Sequence, residues 1–234
     1  MFFGDPIFFF LSLGLMALMG LASKNVQSTF QRFAEVPIRR RMSGSQAARQ
    51  ILDSNGLQDV AIERVQGNLT DHYDPQARVL RLSESVYDQP SVSAVGVACH
   101  EAGHALQHKV GYAPLKLRQG LLPLAQLSNF GVYMIMAGLL LGFGMSMGPM
   151  KSLAEIGLLM YSAGVVFAII TLPVEFNASS RAMAQMSAYG IVSSEEYTGA
   201  RKVLNAAALT YVAAALGALI QLIYLAMMVF GGDE

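Results

Sequence analysis

A single cysteine, Cys99, stands in 234 residues. No internal disulfide can form, and a zinc site built on cysteines is excluded. Cys99 itself is expected to be a small buried residue on a helix. Charge is almost as scarce: 14% of the residues are charged, against about a quarter in ordinary globular domains. The 16 basic and 16 acidic residues cancel. No basic block interleaves with aromatic residues, so nothing supports nucleic-acid binding. The first apolar run is preceded by only one charge, Asp5. Without a basic leader it does not read as a secretory signal and is expected to be a retained membrane anchor.

What the chain has instead is apolar length. Hydrophobic residues make up 53% of it and the mean hydropathy is +0.43, the composition of an integral membrane protein. Four segments, 6–22, 121–147, 153–172 and 206–230, are long enough to cross about 30 Å of hydrocarbon. The second and third are joined by Gly148-Pro149-Met150-Lys151, which predicts a helical hairpin closed by a turn. Gly138, Gly142 and Gly144 offer places for helices to approach closely. Of the 16 Lys and Arg, 12 lie between Lys24 and Arg118, and Arg181, Arg201 and Lys202 lie beyond the third span. By the positive-inside rule the segments 23–120 and 174–205 are expected in the cytoplasm. Arg39-Arg40-Arg41 is expected near anionic headgroups or in plain solvent.

Between the first two spans the pattern is mixed. Ser43 or Ser45 caps a helix running to about Asn55, with Gly56 as its stop. Residues 60–65 and 78–82 read as short strands, and Asp71-His72-Tyr73-Asp74-Pro75 as the turn between them. A further helix starts near Pro90 and ends at Gly111, giving an αββα order.

That last helix carries His100-Glu101-Ala102-Gly103-His104. Residues four apart on a helix share one face, so the two imidazoles can hold one Zn²⁺. Glu101, beside the first of them, can reach a water at the metal and act as general base. With four His and nine Glu in the chain, chance yields about 0.003 such pentads. The spacing predicts a zinc hydrolase with one zinc per chain.

Catalytic zinc takes three protein ligands. His108 lies about 12 Å along an unbroken helix from His100 and is a poor third. Glu175, after Pro173 at the cytoplasmic end of the third span, is the stronger candidate, because an ionisable group at that depth needs a partner. Asp71 and Asp74 are the runners-up. Glu155 falls at the opposite end of the span, and Glu195-Glu196 reads as helix-start chemistry. Arg181 and His108 are candidates to stabilise an oxyanion. The strand at 78–82 could pair with an extended substrate.

The pentad followed by a membrane hairpin and Glu-x-x-Ala resembles membrane gluzincins such as the HtpX-type quality-control proteases and the CAAX prenyl proteases. Asp71-His72-Tyr73-Asp74-Pro75, Leu80-Arg81-Leu82-Ser83, Val86-Tyr87, His100 through Gln107 and Glu175-Phe176-Asn177-Ala178-Ser179 together resemble a family of prokaryotic membrane zinc peptidases, the neutral zinc metallopeptidases. The resemblance covers nearly the whole chain. It implies an α+β membrane protein with a small cytoplasmic minigluzincin-like αββα core on four transmembrane helices. It also implies His100, His104 and Glu175 on zinc, with Glu101 as base. The HtpX-type pattern has an Asp where this chain has Ser179, so Asn177 or Asp74 is expected to support the histidines.

The expected organisation is an anchor over 1–23, the zinc core over 24–120, a hairpin over 121–173, a cytoplasmic segment bearing the third ligand over 174–205, and a last span over 206–234. The expected function is a multi-pass metalloendopeptidase of the prokaryotic cell membrane, acting on peptide or membrane-protein substrates at the cytoplasmic face. The alternatives are a zinc hydrolase of a non-peptide amide or lipid, and a non-catalytic zinc-stabilised scaffold. Oligomeric state is not legible in the sequence.

Overall fold

The computed structural model describes residues 6–142 and 147–231. Its elements in chain order are α1 (Pro6–Ala34), α2 (Gly44–Ser54), β1 (Ala61–Val65), β2 (His72–Asp74), β3 (Val79–Ser83), α3 (Glu84–Tyr87), α4 (Val92–Lys109), α5 (Ala113–Gly142), α6 (Met147–Ala188) and α7 (Ser194–Phe230). The described residues are mostly helical, with one small three-stranded sheet among them. Two compact units divide the chain. One draws on α1 to Leu21, on Leu117–Leu172 and on α7 from Tyr211; the other is Ala22–Lys116 with Pro173–Thr210.

In the first unit the long helices are apolar on nearly every side, as segments facing lipid must be. Parts of α1, α5, α6 and α7 are each long and apolar enough to cross a membrane. A Cβ on Gly131 of α5 would lie 2.4 Å from the Gly157 carbonyl oxygen of α6, and one on Gly157 would lie 2.6 Å from that of Gly131. Paired glycines therefore bring these two backbones together, at positions the sequence did not single out. Gly148–Lys151, expected as a turn, lies in the first turns of α6, and Gly144 lies outside the described residues. Nor does Pro173 end the third long helix: α6 runs through it to Ala188. Proline removes one N–H from the ladder but not the rest, so a long helix survives it.

The second unit is built on α4. Its residues from Val92 to Gln107 are almost all buried. Helix α2 presents Ala47, Ala48, Ile51 and Leu52 to the core, a stripe at helical spacing, while Ser43 and Gln46 close a reciprocal capping box at its start. Each large side chain buried here contributes about 1.5–3 kcal/mol, so a charge at Ile51 would undo the packing of α2. The sheet order is β1-β3-β2, with β1 parallel and β2 antiparallel to β3. Segment 72–74, expected within a turn, is thus a strand. It is stitched to β3 by Arg81 Nη1 on Asp74 at 2.9 Å, while just before it Asp71 receives Ser83 N–H at 2.7 Å. Because β3 is flanked on both sides, the segment 78–82 has no free edge for a substrate strand; β1 and β2 are the edges. Met186 and Ala182 of α6 and Val203 and Leu204 of α7 complete the core.

Two of the three consecutive arginines bond within this unit as well. Arg40 donates to the carbonyls of Tyr189 and Gly190 that end α6, and the backbone N–H of Arg39 donates to Glu196 at 2.7 Å. Glu196 also accepts from Ser193 N–H at 2.6 Å, the helix-start role expected of it. These bonds hold the Glu196 carboxyl below its usual value despite the opposing effect of burial.

Candidate metal centre

The site lies entirely in the second unit. His100 and His104 project from one face of α4, their rings 4.8 Å apart and nearly perpendicular. Glu175, in the first turn of the α6 portion of this unit and almost fully buried, meets them from the other side. His100 Nε2 is 3.2 Å and His104 Nε2 is 3.6 Å from the same oxygen, Glu175 Oε2. Two ligands of a tetrahedral zinc at about 2.0–2.1 Å stand roughly 3.3 Å apart. Two imidazole nitrogens and a carboxylate, buried and converging at that spacing, fit zinc. Among the described residues these three side chains form the one cluster of metal-ligating groups.

Burial works against a charged His104, but the hydrogen bond to Glu175 and the charges of Glu101 and Glu175 outweigh it and raise its pKa. Glu101 is 8% exposed and close enough to His104 and Asp71 for its charge to act on both. Burial raises Asp71 above the ordinary carboxylate value, Ser83 opposes the rise, and Glu101 adds to it.

The other nitrogens of the two histidines are also held. Ser179 Oγ is 3.0 Å from His100 Nδ1, and Gln107 Oε1 is 3.0 Å from His104 Nδ1. A metal-binding histidine needs its second nitrogen fixed in this way. Neither Asn177 nor Asp74 touches a histidine of the pair. Asn177 accepts instead from Gln107 at 3.0 Å and from Arg181 at 2.7 Å. Asp74 accepts from Gln76 N–H, Ala77 N–H and Arg81. Gln107 escaped notice because its partners lie 67 and 70 residues away. The one sequence signal was its place three residues after His104, on the same helical face.

The remaining candidates are placed elsewhere. Asp71 is occupied by the backbone and hydroxyl of Ser83. His108 Nδ1 lies 2.8 Å from the Tyr73 hydroxyl and is outside the cluster. Arg181 donates through Nε to Asn177 at 2.7 Å, the same oxygen that Gln107 meets, and lies 6.0 Å over the Tyr112 ring.

The comparisons agree with this chemistry. The model of the family described as "putative neutral zinc metallopeptidase" matches residues 8–230. The chain is 46% identical over 228 residues to "putative membrane protease YugP" of Bacillus subtilis (strain 168), an alignment covering 97% of this chain and 99% of that protein. No solved structure matches. With the family model matching from 8 to 230, the chain belongs to the putative neutral zinc metallopeptidases.

Proposed function

We propose that the protein is a multi-pass membrane zinc metalloendopeptidase of the gluzincin type. His100, His104 and Glu175 hold one zinc per chain, and Glu101 is the general base. The observation that carries this reading is the convergence of two imidazole nitrogens on one buried carboxylate oxygen, with a second carboxylate beside them in the same helix turn. Bound there, zinc supplies Lewis acidity toward a water and a scissile carbonyl. Glu101 takes the proton of the attacking water and returns it to the departing amine nitrogen. Burial of Glu101 keeps that proton from bulk water.

The family description and the name of the B. subtilis relative favour a polypeptide substrate. The basic residues of 24–118 and 174–205 favour a cytoplasmic site. The test compares full-length wild type and Glu101→Gln, with zinc content measured on both. Wild type should cut unfolded polypeptide and leave a fragment signature in the membrane proteome, while the variant keeps zinc and leaves none. A zinc-loaded wild type that cuts an amide lipid but no polypeptide contradicts the peptidase reading. Biological function retained in Glu101→Gln contradicts catalysis and favours a scaffold.

A further inference from the structure

Gln107 is a neutral amide with no exposed surface, and its polar atoms meet His104 and the α6 residues on either side of Glu175. Its Nε2 donates to the Val174 carbonyl at 2.7 Å and to Asn177 Oδ1 at 3.0 Å; its Oε1 faces His104 Nδ1 at 3.0 Å. The orientation of this amide follows from its partners. A backbone carbonyl cannot donate, so the Gln107 atom on Val174 must be the nitrogen. The Asn177 atom it meets also receives Arg181 Nε at 2.7 Å, and a guanidinium only donates, so that atom is an oxygen. Both N–H groups of Gln107 are thereby used. What remains for His104 is an oxygen without a proton, and Nδ1 must carry the hydrogen. The lone pair of neutral His104 is then on Nε2, the nitrogen facing Glu175.

The same amide holds Val174, the residue immediately before Glu175. One side chain of α4 thus orients one ligand of its own helix and fixes the α6 turn that presents another. Ser179, the corresponding partner of His100, cannot do this, because a hydroxyl donates or accepts as required. We propose that Gln107 is the positioning residue of the centre, setting His104 as an Nε2 ligand and holding Glu175 in register with it. This rests on the zinc reading above.

The test uses full-length detergent-solubilised protein loaded with Co²⁺, observed by proton NMR, with zinc affinity measured in parallel. Wild type should show two exchangeable, metal-shifted imidazole N–H resonances, one for each histidine. Gln107→Met should lose or rapidly exchange one of them and weaken zinc by about 10–100-fold. Ser179→Ala should disturb the other. Gln107→Glu keeps an acceptor oxygen for Nδ1–H but loses the N–H that holds the Val174 carbonyl, so it should retain the first resonance while binding zinc more weakly than wild type. Two resonances of wild-type exchange rate in Gln107→Met, or the same loss in Gln107→Glu, overturns the assignment while leaving the zinc site intact. If Gln107→Met does not fold, the Gln107→Glu spectrum decides. Failure of wild type to bind either metal would instead remove the zinc reading on which the inference rests.

Discussion

Gly103 of α4 and Ala178 of α6 pass so closely that a Cβ on Gly103 would lie 2.5 Å from the Ala178 carbonyl oxygen and 3.1 Å from its carbon. Both are backbone atoms, which cannot rotate out of the way. Ala178 is one turn beyond Glu175, so whatever displaces it displaces the carboxylate. Alanine at position 103 would favour the helix by about 1 kcal/mol on propensity alone, but overpacking of a close-packed core costs about 1–3 kcal/mol. Gly103→Ala is therefore expected to lower the melting temperature and weaken zinc at least 10-fold, with every proposed ligand present. Gly96→Ala is the control. Its Cβ would meet Ala200 at 3.6 Å, an ordinary contact, and zinc binding should be unchanged. Equal zinc affinity in wild type and Gly103→Ala would show that this approach does not set the ligand geometry.

Cys99 has no exposed surface, and burial pushes its thiol well above its ordinary value. Native protein should not react with a maleimide, and denatured protein should take up one equivalent. That silence makes wild type a clean background for topology. Thr70→Cys, at an exposed position in the segment proposed to be cytoplasmic, should label with an impermeant reagent only after the membrane is breached. Labelling from outside intact cells would reverse the proposed orientation.

Asp74 gives the sheet a pH signature. Hydrogen bonds from Ala77 N–H and Arg81 hold its carboxyl below the usual value. Its contribution is present above the unfolded value of about 3.9 and is lost as pH falls through the lower folded value. Wild type should be more stable than Asp74→Asn near neutral pH, and the difference should shrink in denaturant titrations carried from pH 6 toward pH 3. A difference that widens on acidification would have the wrong sign.

What could be read from the sequence was local. The helix cap at Ser43 or Ser45, the pentad and the four apolar segments all declare themselves within a few residues. Strand β2 did not, because Asp71-His72-Tyr73-Asp74-Pro75 has the composition of a turn and becomes a strand only through Ser83 and Arg81 of β3. The course of α6 through Pro173 was hidden for a related reason. A proline signals a helix end locally, whereas packing of Ala178, Ala182 and Met186 in the core keeps the helix going. The partners of the histidines, Ser179 and Gln107, depend on the crossing of α4 and α6 and have no local signature. Ser179 departs from the aspartate of the HtpX-type pattern, and its hydroxyl lies 3.0 Å from His100 Nδ1.

His108 shares the face of α4 with Glu101 and His104, but its Nδ1 meets Tyr73 rather than the cluster. Tyr73→Phe should therefore leave zinc stoichiometry unchanged, and any effect should fall on turnover or substrate preference, read as kcat against KM. Loss of zinc in Tyr73→Phe would place this pair within the metal centre.

Zinc content per chain, measured on purified and dialysed Glu175→Ala and His108→Ala beside wild type, decides whether α4 and α6 together make the metal centre. Wild type and His108→Ala should each carry one zinc, and Glu175→Ala should retain little. Full zinc in Glu175→Ala together with its loss from His108→Ala would contradict both the proposed ligand set and the gluzincin assignment.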